Sequence, residues 1–302
     1  MFTPVTTTLG AVLLHLSTST LLTTNSQVLG CSSLLGSIIS PSSTTTPTLL
    51  GLAVASMVPI YPTTYPATSL PVLATAGALV GFGTAWANGC TSGHMLLGIP
   101  RGSIRSLAAT ATFFSTAVLT AALSGSPPAC TDGACYTPSY PLATAGVVAV
   151  IISAIGAWVI LQLPRTETSQ IIARVYSGFV FGLGLIVSGM AAPAKPLGFM
   201  SVMDLQRFDP SLVFVAVVGM GGNAVAWWKR RQEGPLLKEG GWEMPGGEVN
   251  WRLIVGSAIF GVGWGLQGVC PGTGVIAAFR NGRGGLAWMA AFLTGRLLAG
   301  LI

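Results

Sequence analysis

Apolar segments of about membrane-spanning length alternate with short polar turns along the whole chain. The longest approach the roughly 20 residues that a helix needs to cross a bilayer. We assign spans at residues 6–22, 48–60, 69–87, 104–123, 144–163, 176–190, 210–228, 251–267 and 286–302. Apolar pieces such as 31–39 and 92–98 are too short to cross and are predicted to be re-entrant half-helices. The pattern predicts an all-α, polytopic helical membrane protein with about nine transmembrane helices and four re-entrant half-helices.

The composition agrees with a membrane protein rather than a soluble one. Charged residues make up 7% of the 302 positions, against roughly 25% in soluble domains. The net charge of +6 comes from basic residues scattered in loops between apolar runs. Such scattering is typical of topology signals and argues against nucleic-acid binding. Residues 1–22 lack the basic start of a signal peptide and are interpreted as the first span.

The order of segments repeats in the second half of the chain. Four residues of the first half recur 180 positions later in the same order. The pairs are Ala78 and Ala258, Gly81 and Gly261, Gly83 and Gly263, and Cys90 and Cys270. In both copies an apolar helical run meets a cysteine and then a Gly-rich break, which is typical of transporters built from inverted repeats. We expect a first repeat at 1–125 with four spans and two half-helices, an outer loop plus linking span at 126–171, and a second, inverted repeat at 172–302.

The positions of the basic residues predict the orientation of the chain. With nine spans, the inner group is Arg101, Arg105, Arg165, Arg174, Lys229, Arg230, Arg231, Lys238 and Arg252, and the outer group is Lys195, Arg207, Arg280 and Arg283. Cytoplasmic loops carry the excess of Lys and Arg. We therefore expect a multi-pass protein of the plasma membrane with its N-terminus outside and its C-terminus in the cytoplasm.

Cys90 and Cys270 are the sharpest candidates for chemistry. A lone membrane cysteine is usually a small hydrophobe that packs well, but two cysteines at equivalent breaks of a repeat favour a functional role. Each begins a half-helix, whose amides and dipole favour an anion. Further donors nearby are Asn88, Thr91, Ser92 and Thr273. We expect an anion to meet amides, hydroxyls and thiols there, with no fixed positive charge required.

Several other polar residues have two interpretations each. His94, one turn past Cys90, is either hydrogen-bonded between helices or a substrate contact. Cys31 follows the first re-entrant turn but has no matching cysteine in the second half, where Phe199 stands. A role in the pathway is therefore only as credible as simple packing. Lys195, in a Pro-bracketed turn on the outer side, either attracts an anion at the entrance or is a solvated loop lysine. Arg296 lies inside the last span, where arginine is functional or snorkels to the surface.

The remaining cysteines lie in a loop and differ from the other three. Cys130 and Cys135 flank an Asp-Gly turn in a loop rich in proline and glycine, and a disulfide between them is a candidate on the oxidising side. No cysteine or histidine cluster has zinc-ligand spacing, so we expect neither a metal nor a cofactor. His15 stands alone in the first span and is expected to be hydrogen-bonded between helices.

Three groups of motifs are similar to a known family. They are Asn88–His94 with Arg101 and Arg105–Ser106; Ser188–Met190, Pro193–Lys195 and Leu197–Phe199; and Gly261–Leu266 with Gly268–Gly272. On these the chain resembles the YeeE/YedE family, sulfur-transport membrane proteins that import thiosulfate in bacteria. The resemblance implies an hourglass of pseudo-symmetric halves, with thiosulfate passed along cysteines by thiol hydrogen bonds. The resemblance also implies that Cys90 and Cys270 are the central cysteines of the pathway and that Cys31 is a third pathway cysteine.

The function expected on these grounds is transport, not catalysis. The substrate is thiosulfate or a related sulfur anion, while a selenium compound or another small anion would suit the same chemistry. Family members often have a cysteine where Leu97 stands here, and an Asn-Gly-Arg turn where this chain has Asn25-Ser26-Gln27. A membrane thiol oxidoreductase would need closely paired redox cysteines, and a structural subunit would not need repeated thiols at broken helices. Expected partners are the sulfur anion and the lipid bilayer, with a cytoplasmic sulfurtransferase as a candidate and no nucleic acid.

Overall fold

The structure, a computed structural model, describes residues 2–125 and 134–301. In these ranges the first half forms α1 (Pro4–Asn25), α2 (Cys31–Gly36), α3 (Thr46–Ser56), α4 (Leu70–Trp86), a π-helix at Ser92–Gly98 and α5 (Ile104–Leu123). The linking helix is α6 (Thr144–Leu161). The second half forms α7 (Glu167–Val187), α8 (Ala194–Met200), a short 3-10 turn at Pro210–Leu212, a π-helix at Val215–Met220, α9 (Gly221–Arg230), α10 (Trp251–Gln267), α11 (Pro271–Arg280) and α12 (Gly282–Ala299).

The described residues are helical, as expected of a polytopic membrane protein, and their only β-structure is a bridge between Phe2 and Pro138. Six segments among them are long and apolar enough to cross a membrane. They are Pro4–Asn25, Ile104–Leu123, Thr144–Leu161, Glu167–Val187, Pro210–Arg230 and Trp251–Arg280. Thr46–Ser56 and Leu70–Trp86 are apolar but shorter. The chain is therefore a multi-pass helical protein, and the count of nine spans stays a prediction.

The span assigned at 176–190 begins too late, because the helix α7 already starts at Glu167. Thr166 caps α7, and its hydroxyl accepts a hydrogen bond from the Ser169 amide at 3.1 Å. Arg174 is buried within α7, and its guanidinium donates to the side-chain oxygens of Gln27 and Gln170. Polar residues can occupy the first turns of a helix when neighbouring side chains accept their hydrogen bonds. The charge pattern alone did not show those partners.

Each half contributes helices to the other half's packing. α4 packs against α10 and α12, while α10 packs against α4 and α5. α7 packs against α1 and α3, while α1 packs against α7 and the Val215–Met220 π-helix. The two halves therefore share one packing pattern. The contacts of the first half become those of the second when corresponding elements are exchanged: α1 with α7, α4 with α10, α5 with α12, and α3 with the 210–230 segment. α6 has no counterpart in this exchange and packs on α1 and α7.

Two glycines that occupy equivalent positions in the two halves allow the backbones of the central helices to pack very close together. A Cβ at Gly81 of α4 would collide with the backbone carbonyl of Phe292 in α12. A Cβ at Gly261 of α10 would collide in the same way with the backbone carbonyl of Phe113 in α5. Small residues permit such close approach, which is how membrane helices gain packing energy in the absence of a hydrophobic drive between them. The glycines that recur in the sequence therefore occupy corresponding contacts.

Candidate functional site

Three cysteines lie at the beginnings of short helical segments. Cys31 is the first residue of α2, and Cys270 caps α11. Cys90 stands two positions before the Ser92–Gly98 π-helix. The long helices before Cys90 and Cys270 end in left-handed residues, Asn88 with φ 49° and Gly268 with φ 67°. Asparagine and glycine tolerate that conformation, so the local sequence accounts for both breaks.

Ser92 connects two of the thiol-bearing residues. Its hydroxyl oxygen lies 3.3 Å from Cys90 Sγ and accepts a hydrogen bond from the Cys31 amide at 3.0 Å. Cys31 and Cys90 are both buried, and Cys270 is half-buried. All three are free thiols. Ser92 therefore brings the segment that begins at Cys90 into contact with the start of α2.

The first turn of α11 completes the cluster. The Thr273 hydroxyl accepts a hydrogen bond from the Cys270 amide at 3.0 Å and lies 3.5 Å from Cys270 Sγ. One residue before Thr273, Gly272 lies directly against Cys31, since a Cβ there would be 3.1 Å from Cys31 Sγ. Glycine at this position is what allows a sulfur atom from one half of the chain to touch a helix start from the other.

A central cavity of about 60 Å³ opens beside this cluster. That volume exceeds the roughly 10–15 Å³ needed to admit one water molecule. Its polar lining consists of Cys31, Thr91, Ser92, Cys270 and Thr273. The remaining wall is apolar, with Met95, Leu96, Phe114, Phe181, Leu185, Met190, Pro196, Phe199, Leu212, Val215, Trp264 and Gly272. The cavity therefore offers thiols and hydroxyls in otherwise hydrocarbon surroundings, and Phe199 lies in the wall as Cys31 does.

Two further cavities lie towards opposite ends of α1. The lysine vestibule, about 210 Å³, is lined by Lys195, Gly189 and Thr3 near the start of α1. The arginine vestibule, about 160 Å³, is lined by Arg101 and Arg105 and by residues just past the end of α1. Because α1 has 22 residues, its ends are about 33 Å apart.

The three cavities form a row. Pro196 of α8 lines the central cavity while its neighbour Lys195 lines the lysine vestibule. On the other side, Ser92 lines the central cavity while His94 lines the arginine vestibule. Two partitions therefore separate the cavities, one at α8 and one at the Cys31–Ser92 contact.

Lys195 is not a solvated loop residue, so that interpretation is wrong. Its ammonium lies 3.3 Å from an oxygen of Asp209 and donates to the Thr3 hydroxyl at 2.6 Å. The other Asp209 oxygen accepts from the amide and hydroxyl of Ser211. Burial raises the pKa of Asp209, but Lys195 and these two hydrogen bonds outweigh it, so the pKa lies below its ordinary value. The carboxylate is ionised and balances the lysine's charge at the vestibule wall.

The two histidines both bridge segments of the chain. His94 has one ring nitrogen 3.1 Å from the Ser106 hydroxyl and the other 3.2 Å from the Ala87 carbonyl. It also lines the arginine vestibule, as does the exposed Asn88. His15 lies 2.8 Å from the side-chain oxygen of Asn223 in α9, which confirms its expected hydrogen bond between helices.

Some residues expected in the site lie elsewhere, and others were missed. Cys130 is outside the described residues, so its disulfide with the buried Cys135 stays a prediction. Sequence reasoning missed Asp209, although Asp before Pro-Ser at a helix start is a capping signal. It also missed Trp264, a wall residue whose buried indole N–H has no hydrogen-bond partner in the described chain. Among the described residues, no three His, Cys, Asp or Glu side chains could share a metal ion.

Gly272 gives a direct test of the central cavity. We expect Gly272→Ala to lower transport strongly, about tenfold or more, because the added methyl would press on Cys31 Sγ and on Leu185, each 3.1 Å away. The matched control is Gly221→Ala in α9, where a Cβ meets nothing within 4 Å. Uptake per molecule in the membrane is the measurement. Equal uptake by the two variants would show that the contact between Gly272 and Cys31 has no part in uptake.

Comparisons with known proteins show that the chain is similar in sequence to transporters. A family model described as sulphur transport matches residues 50–119, and a model described as a family of unknown function (DUF6691) matches residues 169–302. A protein of Xylella fastidiosa strain Temecula1, named a probable transporter, is 37% identical over 144 residues, which are 46% of this chain and 93% of that protein. A probable transporter of strain 9a5c is 37% identical over 137 residues, 43% of this chain and 90% of its own length. These relatives are therefore about half as long as this chain.

Proposed function

The chain is a membrane transporter that belongs to the YeeE/YedE-type sulfur-transport family, and from this we propose that it takes up thiosulfate or a closely related sulfur anion. The observation that carries the proposal is the central cavity, where Cys31 and Cys270 line one space and Cys90 adjoins it through Ser92. A path lined by thiols suits a substrate whose own terminal atom is sulfur.

The chemistry of the cavity suits brief binding. Thiols and hydroxyls donate hydrogen bonds to an anion, and the amides at the start of α11 add a favourable dipole. A fixed charge at the centre of a membrane costs about 2.5–3.5 kcal/mol on insertion scales, and these donors avoid that cost. Neutral donors also hold an anion less tightly than charged ones, because charge-assisted hydrogen bonds are roughly twice as strong. The substrate is therefore free to move from one thiol to the next.

The proposed route follows the row of cavities. The anion enters at the lysine vestibule, passes α8 into the central cavity, and meets Cys270 and Cys31. It then passes Ser92 and Cys90 to reach the arginine vestibule. The two partitions must move each time an anion passes. The other helices stay in place, which would limit leakage of water and other ions.

We also propose the finer architecture expected from the sequence. The halves 1–125 and 172–302 form an inverted repeat joined by 126–171, with nine spans and an hourglass shape. Two observations support it: the exchange of packing partners between the halves, and relatives about half as long as this chain. α6, which has no counterpart, would supply the odd crossing that inverts the second repeat.

The proposed orientation places the lysine vestibule outside and the arginine vestibule in the cytoplasm. Cysteines introduced at the exposed Tyr140 and Glu248 test it. We expect an impermeant thiol reagent to label Tyr140→Cys in intact cells and Glu248→Cys only after the membrane is opened. The buried native Cys135 would be a poor reporter. The opposite labelling pattern would show that the chain is reversed.

Growth of a sulfur-auxotrophic host tests the substrate. We expect cells carrying this chain to grow on thiosulfate as the sole sulfur source, while cells with an empty vector do not. Competition by thiosulfate, sulfate and a selenium analogue against uptake of labelled thiosulfate then ranks the substrates. Preference for the selenium compound would replace the proposed substrate. Failure of any sulfur anion to enter would overturn it. Thiosulfate that enters would be consumed by a cytoplasmic sulfurtransferase, the partner we propose.

A further inference from the structure

We propose that the arginine vestibule is a second binding site, which takes a doubly charged sulfur oxyanion from the thiols and holds it on guanidinium groups before release. The inference rests on the proposed function for the identity of the anion. The binding site itself is argued from the charges and contacts of the vestibule and is tested without transport.

The vestibule is polar where the central cavity is apolar. Six of its lining side chains carry hydrogen-bonding groups, namely Ser33, Asn88, His94, Arg101, Arg105 and Ser106. It is also large enough for a hydrated anion, at about 160 Å³. The remaining wall includes Gly30 and Gly93, which adjoin Cys31 and Ser92 in the chain. An anion leaving the thiols on this side therefore meets this lining next.

Within the described part of the chain, no carboxylate pairs with the positive charges in the vestibule. In residues 2–125 and 134–301, no Asp or Glu oxygen lies within 4 Å of Arg101 or Arg105, whereas Lys195 is paired with Asp209. Arg105 donates one terminal N–H to the Ala87 carbonyl at 2.8 Å, and Arg101 donates its Nε–H to the Leu97 carbonyl at 3.1 Å. These backbone contacts orient each guanidinium and leave further donors for a ligand, because arginine carries five N–H groups.

The step from thiols to guanidinium groups takes the anion from weaker to stronger donors. Arginine binds oxyanions through paired, charge-assisted hydrogen bonds, which are stronger than those of neutral donors. The anion therefore gains binding energy as it leaves the central cavity. Both arginines are partly exposed, so water can compete for the ligand and release stays fast.

Trp227 provides a local reporter of this site. The Arg101 guanidinium carbon lies 6.0 Å from the centre of the Trp227 ring. An anion that binds Arg101 and Arg105 would change the field at the indole and hence its fluorescence. Titration of the purified protein in detergent with thiosulfate is expected to give a saturable change that Trp227→Phe removes. Sulfate should give the same signal, and chloride should not.

Arg105 is the residue to vary, because it is not in contact with the reporter. We expect Arg105→Gln to weaken thiosulfate binding about tenfold or more and Arg105→Lys to recover part of the affinity. The matched control is Arg231→Gln, which removes an exposed arginine that lies 4.0 Å over the Trp228 ring and does not line the vestibule. Thermal unfolding of each variant excludes misfolding as the cause.

The outcomes separate the two proposals. Unchanged affinity in a folded Arg105→Gln protein, or a signal that survives Trp227→Phe, would overturn the arginine site. Binding that depends on Arg105 in a protein that fails to support growth on thiosulfate would keep the site and refute the transport proposal. Uptake of thiosulfate by a protein that gives no Trp227 signal would keep the transport proposal and refute the arginine site.

Discussion

Replacement of Cys270 by alanine is expected to reduce thiosulfate uptake to the background of cells that lack the transporter. The variant removes the sulfur that lies at the start of α11 and lines the central cavity beside Cys31. The anion would then have to cross an apolar wall with no donor at that point. Because every anion must pass this point, the rate of uptake should be lower at every thiosulfate concentration.

Cys90→Ala is expected to give the same result for a different reason. Cys90 is buried and lies 3.3 Å from the Ser92 hydroxyl, which also accepts from the Cys31 amide. Removing its thiol takes away the sulfur beside Ser92, at the partition between the central cavity and the arginine vestibule. The matched control for both variants is Ser257→Ala in α10, since the buried Ser257 hydroxyl has no hydrogen-bond partner in the described residues. Wild-type uptake by Cys90→Ala or Cys270→Ala, at equal amounts in the membrane, would rule out a thiol path.

Asp209→Asn is expected to destabilise the protein by about 3–5 kcal/mol, the usual cost of breaking a buried ion pair. The change keeps the shape of the side chain but removes the negative charge beside the buried Lys195. A double variant, Lys195→Met with Asp209→Asn, should recover much of the loss, because the two residues are coupled. Thermal unfolding in detergent measures both.

The control for this pair is Asp204→Asn at the exposed contact with Arg207, which should cost under about 1 kcal/mol. The depressed pKa of Asp209 also fixes the sign of the pH effect. Its stabilisation is present above the unfolded-state pKa of about 3.9 and is lost as the pH falls through the lower folded value. A wild-type protein whose acid stability matches that of Asp209→Asn would contradict the ion pair.

The helix breaks were predictable from the sequence because they depend on local chemistry. Asn88, Gly268 and the two cysteines that follow them repeat in both halves, and each break is explained by residues within a few positions. The meeting of Cys31 with Gly272 was not predictable, since it joins residues from opposite halves of the chain. The pairing of Lys195 with Asp209 lies within the second half and was missed for a different reason. A buried ion pair leaves no periodic signal in either segment.

Helix existence was easier to predict than helix length. α4 and α10 end within a residue or two of the expected positions, because glycine and cysteine mark the ends. The start of α7 was misplaced, since Gln27 and Gln170 accept hydrogen bonds from Arg174 and allow a charged residue to be buried in the helix. The number of spans depends on where the membrane lies along the shorter helices. Sequence pattern does not determine that position.

The close backbone contacts at Gly81 and Gly261 restrict how the gate can work. A carrier that rocks one half against the other would have to separate α4 from α12 and α10 from α5, where the helix backbones are in close contact. The 6-residue α2 and the 7-residue α8 are instead short helices that lie at the two partitions. We therefore expect the scaffold to stay fixed while these two short helices fluctuate, and the activation enthalpy of transport to resemble that of a channel more than that of an alternating-access carrier.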